Sequence, residues 1–121
     1  MLKILTVTAV AVLITGCANN RLHSWGGYDD LLYAGYKAPD QMEVARTKLE
    51  VHVQTLRQSG QRVPPGIYAE VGTLYLQSGN KQKALSYYQL EHDTWPESRP
   101  FMSAMVTNLS KNLTEKKENK Q

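Results

Sequence analysis

A chain of 121 residues, 41% hydrophobic and 21% charged, has room for one small domain and no second core. Its formal charge of +3 comes from 14 Lys and Arg against 11 Asp and Glu, with the basic residues spread along the sequence rather than grouped, which argues against nucleic acid as a partner. One cysteine allows neither an intrachain disulfide nor a cysteine-rich metal site, so Cys17 needs another explanation.

The N-terminal segment supplies one. Lys3 is the only cation ahead of an uncharged, largely apolar run over residues 4–14. That run is too short for a spanning helix, which takes roughly twenty apolar residues, and fits the roughly seven to fifteen of a secretory signal. It ends in Leu13-Ile14-Thr15-Gly16-Cys17, with small residues at the two positions before the cysteine. This stretch resembles the lipobox of bacterial lipoproteins. The resemblance implies that residues 1–16 are a signal peptide, that the Cys17 thiol takes a diacylglyceryl group, that a dedicated peptidase cuts before Cys17, and that the new amine takes a further acyl chain such as palmitate. No cofactor beyond this covalent lipid, and no metal, is expected. Each buried methylene contributes about 0.8 kcal/mol and stable anchoring takes two or more acyl chains, so lipidated Cys17 is expected to hold the chain to a membrane. Ala18 at the second mature position resembles lipoproteins of the outer membrane, whereas enteric inner-membrane residents usually carry Asp there. The periplasmic face of the outer membrane is the expected location.

Residues 17–24 read as a lipidated tether, polar and without pattern, ahead of a helical domain over residues 25–110. Residues 28–36 suit two helical turns, and Pro39 closes them. Asp40-Gln41-Met42-Glu43 has the form of a capping box. Met42, Ala45, Leu49, Val53 and Leu56 then repeat at three and four, and Gly60 suits a left-handed C-cap, which predicts a helix over about 40–59. Pro64-Pro65 prepares a third helix with Ile67, Tyr68, Val71, Leu74 and Tyr75 on one face, stopped at Gly79. Asn80 caps a fourth, which turns Ala84, Leu85, Tyr88 and Glu91 toward the third and ends at Trp95-Pro96. The short connection makes helices three and four antiparallel. Ser98, with Pro100 in the first turn, opens a fifth helix whose stripe is Phe101, Met102, Met105, Val106 and Leu109. Residues 111–121 interleave Lys111, Lys116, Lys117 and Lys120 with Glu115 and Glu118 and read as a disordered polar tail.

Within residues 65–98 the spacing Tyr68-x2-Val71-Gly72-x2-Tyr75, Ala84-x3-Tyr88, Pro96 is similar to the tetratricopeptide pattern, with Tyr for its Trp, Val for its Leu and Glu91 for a usual Ala. Gly72 and Ala84 are small where two antiparallel helices must cross. One repeat cannot hide its own apolar faces, so the second and fifth helices must complete the core. The fold class is therefore all-α, a short tetratricopeptide-like solenoid of about five helices after a signal peptide.

At Trp25-Gly26-Gly27-Tyr28, at Arg62-Val63-Pro64-Pro65-Gly66-Ile67-Tyr68-Ala69-Glu70 and at Trp95-Pro96-Glu97-Ser98-Arg99-Pro100-Phe101-Met102, the chain resembles a family of small proteobacterial lipoproteins of unknown function. Genes of that family commonly lie beside one for a lipoprotein similar to the curli secretion pore, which implies a shared envelope assembly and no stated activity.

Residues carrying chemistry are sparse. His23, His52 and His92 have no second ligand at helical spacing, there is no strained Gly-x-Ser-x-Gly turn, and Gly26-Gly27 reads as a hinge. Trp25, Tyr28, Tyr33 and Tyr36 suit an interaction surface, with about half of them expected in the core. Ala69, Thr73, Leu76 and Gln77 fall on the face that a repeat of this type turns inward. The expected partner-binding set is thus Trp25, Tyr28, Ala69, Thr73, Leu76 and Gln77. The expected function is that of a non-enzymatic adaptor in envelope assembly or secretion, bound to the membrane through its lipid and to an envelope protein such as another lipoprotein. The alternatives are an obligate structural subunit of a pore-like lipoprotein complex and, behind it, a cell-wall-active enzyme.

Overall fold

The computed structural model describes residues 22–118, and among them five α-helices and one 3-10 turn form an all-helical, solenoid-like domain without strands. The signal segment, Cys17 and residues 119–121 lie outside the described residues. The helices are α1 (Tyr28–Lys37), α2 (Gln41–Gln58), α3 (Ile67–Gln77), α4 (Lys81–Thr94) and α5 (Arg99–Glu118), with the 3-10 turn at Pro96–Ser98. Each packs chiefly on its neighbours in sequence, α1 on α2, α2 on α3, α3 on α4 and α4 on α5. Because successive helices run in opposite directions, the domain has two ends. Residues 22–28, 58–67 and 94–101 meet at one, the tether end. The turns at 38–40 and 78–80 lie at the other, the far end.

Glycine fixes two helix ends. Gly60 (φ 69°) and Gly79 (φ 83°) adopt the left-handed conformation, and the following amides reach back, Gln61 N to the Leu56 carbonyl and Asn80 N to the Tyr75 carbonyl, each at 2.8 Å. Asn80 then caps α4, its side chain accepting from Lys83 N at 3.1 Å. The expected capping box at Asp40 does not form. The carbonyls of Ala38 and Pro39 already take the amides of Gln41 and Met42 (2.8 and 3.2 Å), Asp40 sits in helical geometry, and Glu43 pairs with Arg46 at 3.0 Å.

The core joins Leu49, Val53 and Leu56 of α2, Ile67, Tyr68, Val71, Leu74 and Tyr75 of α3, Ala84 and Tyr88 of α4, and Met102 and Leu109 of α5. A Cβ on Gly72 would stand 2.9 Å from the Tyr88 ring and 3.2 Å from the Ala84 carbonyl oxygen, so the α3–α4 crossing is as close as the repeat spacing requires. Three expectations for α5 change. Phe101 is 67% exposed, because one residue is about 100° of helix and the turn at Pro96–Ser98 aims Met102 inward in its place. Ser98 does not cap the helix but donates its hydroxyl to Glu91 Oε1 at 2.8 Å. Nor does a solvated tail begin at residue 111. α5 continues to Glu118, with Leu113 half-buried against the turn at residues 78–82, and Lys and Glu sustain a helix well.

Candidate functional site

Three helices are tied together by Glu50, at which no sequence motif points. Its Oε2 accepts from the Tyr75 hydroxyl at 2.6 Å and its Oε1 from the Tyr87 hydroxyl at 2.9 Å, with Lys83 Nζ at 3.9 Å. Tyr75 and Tyr87 stack at 5.7 Å, and Arg46 and Lys83 lie 4.4 and 4.6 Å from the Tyr75 ring centre. Partial burial pushes the Glu50 carboxyl up, but the two phenol hydrogen bonds and the Lys83 and Arg46 charges outweigh it and hold it below the usual value of 4.5. A carboxyl depressed by folding stabilises above its unfolded pKa, and that contribution is lost as pH falls through the folded one. Chemical denaturation should therefore show wild type losing stability between pH 5 and lower values more steeply than Glu50→Gln. Parallel acid limbs for the two proteins would remove Glu50 from this role. Glu70 on α3 acts with the opposite sign: burial, its largest influence, raises its carboxyl despite the adjoining Tyr28 hydroxyl.

This polar frame holds α3 between two grooves near the far end. One lies between α3, the start of α4 and α5, a cavity of about 200 Å³ with Leu76, Tyr88, Met105 and Leu109 as its apolar lining and Lys81, Asn108 and Asn112 as polar groups. The other, about 310 Å³, lies between α2 and α3 and is lined by Pro39, Met42, Leu74, Arg46 and Gln77, among others. Leu76 and Gln77 thus open onto different grooves, as neighbours about 100° apart on a helix must. Ala69 and Thr73 line neither. Thr73 Oγ1 donates to the Ala69 carbonyl at 3.0 Å and shares a hydrogen bond with the buried Tyr88 hydroxyl at 3.1 Å, so its polarity is spent inside the fold. Sequence reasoning missed Met105, Asn108 and Asn112 as groove residues. The polar positions i and i+4 flanking a buried Leu109 were the available signal.

Trp25 and Tyr28 lie at the tether end, apart from the grooves. Tyr28 packs on the core, and burial together with the adjacent Glu70 carboxylate pushes its phenol up to about 12. Trp25 stays 36% exposed, as do Tyr33 (62%) and Tyr36 (72%) more fully. His23 stands edge-on to Trp25 at 6.0 Å and to Trp95 at 5.7 Å. His52 Nε2 lies 2.8 Å from the Ser24 carbonyl oxygen, and His92 Nδ1 2.9 Å from Asp93. Gly26 and Gly27 both have positive φ, and a Cβ on Gly26 would meet the His52 ring at 2.7 Å, so Gly26 packs closely on α2, while a Cβ on Gly27 would meet nothing within 4 Å. Among the described residues no three His, Cys, Asp or Glu side chains come together as a metal site, and no helix is long and apolar enough to cross a membrane.

One departure from the repeat pattern has a structural cause. Glu91 is fully buried at the position where that pattern usually has Ala, and its Oε1 accepts from Gly66 N at 2.8 Å and from the Ser98 hydroxyl at 2.8 Å. It joins the start of α3, the end of α4 and the entry to α5. Beside it, Trp95 Nε1 donates to the Val63 carbonyl at 3.1 Å, and the Arg62 guanidinium lies 3.9 Å from the Trp95 ring centre while donating to the Thr94 carbonyl at 2.6 Å. The Arg62–Gly66 and Trp95–Ser98 segments, widely separated in sequence, thereby form one locked end.

No curated protein and no solved structure matches the chain. A family described as a domain of unknown function, DUF4810, matches residues 22–105, which run from the residues contacting α2 and Trp95 through all of α1 to α4 and into α5, and the chain belongs to that family.

Proposed function

We propose that the protein is a lipid-anchored adaptor of the bacterial envelope, held at the periplasmic face of the outer membrane through Cys17 and binding a segment of a second envelope protein in the groove between α3 and α5. The observation that carries this reading is the make-up of that groove: Leu76, Met105 and Leu109 can receive apolar side chains, and the Asn108 and Asn112 amides can pair with peptide groups, which offer both donors and acceptors. Methionine adapts its shape to irregular partners. The residues offer binding without a reaction of their own, so we read the chain as a non-enzyme that needs no cofactor beyond its lipid. The lipobox-like run before Cys17 supports the anchor.

A photo-crosslinking residue at Asn112, on the groove and exposed, should capture a second envelope protein in intact cells, while the same residue at Glu43, exposed on α2, should not. Cys17→Ser should weaken that capture on the order of tenfold or more, since a shared membrane surface raises the effective concentration of partners. Capture of nothing but a second copy of the chain from Asn112 would end the adaptor reading.

A second reading, that of a permanent subunit in a pore-like lipoprotein complex, draws on Val44 and Val51, seven residues apart on one side of α2 and 44% and 56% exposed. It is favoured if crosslinks form from Val51 and not from Asn112.

A further inference from the structure

We propose that the tether end is a membrane-contacting surface, with Leu22, Trp25 and Phe101 entering the lipid interface and both grooves held away from the bilayer. This rests on the lipid anchor at Cys17 proposed above. Four residues separate Cys17 from Leu22, and an extended chain covers at most about 3.6 Å per residue, so the anchor sulfur lies within roughly 18 Å of the Leu22 backbone. The polar headgroup layer on one side of a bilayer takes up about 5–8 Å of that reach.

Leu22 is at the start of a segment fixed to the domain. His52 holds the Ser24 carbonyl oxygen at 2.8 Å, His23 sits against Trp95, and Gly26 sits against the His52 ring. Trp95 is in turn fixed through Val63 and Arg62. The short leash therefore starts from a defined place on the fold, and the end that carries it is the end brought to the membrane. That end exposes large apolar side chains, Leu22 at 89%, Phe101 at 67% and Trp25 at 36%. Trp is favoured at the headgroup level, where its apolar ring and N–H are both served. Asp29, Asp30 and Glu97 offset Arg57, Arg62 and Arg99 at the same end, so the contact is apolar rather than electrostatic. α4 alone, at 14 residues, separates the two ends by about 20 Å, which places the grooves beyond the headgroups.

The full chain, purified with its native modification, is reconstituted in phosphatidylcholine vesicles with bromine-labelled acyl chains, and its tryptophan emission is read. Trp25 and Trp95 are the only two tryptophans, and Trp95 is buried. Wild type should lose roughly twofold more of its emission to the bromolipid than Trp25→Phe, and should do so equally in low and high salt. The double variant Leu22→Glu/Phe101→Glu, altered only at exposed positions, should fall to the Trp25→Phe level. Equal quenching of wild type and Trp25→Phe, or a double variant quenched like wild type, overturns the proposal. The intact mass separates the two ideas. Unmodified Cys17 removes the anchor and this orientation with it, whereas diacylglyceryl-Cys17 without Trp25 quenching removes the orientation alone.

Discussion

Gly72→Leu should destabilise the domain by about 3 kcal/mol, the upper part of the range for overpacking a filled site. Even a Cβ at this position meets the Tyr88 ring at 2.9 Å and the Ala84 carbonyl oxygen at 3.2 Å, and neither neighbour is free to give way. Tyr88 is 1% exposed with its hydroxyl bonded to Thr73, and the Ala84 oxygen belongs to the backbone of α4. Helix propensity pulls in the opposite sense, since Gly costs about 1 kcal/mol relative to Ala in a helix interior. Contact outweighs propensity at this site. For a domain of this size 1 kcal/mol shifts Tm by about 4–8 °C, so a scanning-calorimetry Tm lower by roughly 12–24 °C is expected. An unchanged or higher Tm would place residue 72 outside the crossing and reject the repeat register.

Glu91→Ala is the second large effect, and it runs against the repeat pattern, in which Ala is the usual residue. Replacing an unusual residue with the common one ordinarily stabilises a protein. Here truncation takes the acceptor from Gly66 N–H and from the Ser98 hydroxyl and empties a fully buried volume. A buried donor left without an acceptor costs about 1–3 kcal/mol, and the void adds to it. The opposing gain is relief of a buried carboxylate, whose Oε2 has no partner. Two stranded donors and a cavity outweigh that relief, so a net loss of about 3 kcal/mol is expected in urea denaturation. Glu91→Gln keeps the Oε1 acceptor and should lose less than about 1 kcal/mol. Faster hydrogen exchange at the Gly66 amide in Glu91→Ala, with wild-type exchange in Glu91→Gln, would locate the defect. Equal stability of the two variants would show that the Oε1 contacts contribute nothing.

What was legible in the sequence was local. Gly60, Gly79, Asn80 and Trp95-Pro96 terminate or begin helices through the backbone within a few residues, so the five helices could be placed from spacing alone. The capping box failed for an equally local reason, because the Ala38 and Pro39 carbonyls compete for the same amides. Phe101 and Met102 are adjacent apolar residues, and periodicity does not say which faces inward until the 3-10 turn at Pro96–Ser98 sets the rotation of α5. The polar nodes are different in kind. Glu50 meets partners 25 and 37 residues away and Glu91 meets Gly66 across 25, so their roles depend on which helix faces come together. Of these, only Glu91 left a trace in the sequence, as a charged residue where a small apolar one belongs. The groove was half legible for the same reason: Leu76 lay on a recognisable repeat helix, whereas Asn108 and Asn112 gained their place only when α5 packed on α4.

Packing chiefly between sequence neighbours also determines how the chain finds and leaves its structure. Contacts between consecutive helices close short loops, so the search for the native arrangement is fast and its free-energy surface is close to a line of coupled units rather than a single all-or-none block. Opening then starts at the terminal units and moves inward. The α3–α4 hairpin, with a neighbour on each side, is expected to be the last to exchange its amides. The His23–Trp95 contact and the Tyr28–Glu70 contact are places where the segment before α2 reaches past this order, to the end of α4 and to α3, and they join the N-terminal unit to the slowest-opening part of the molecule.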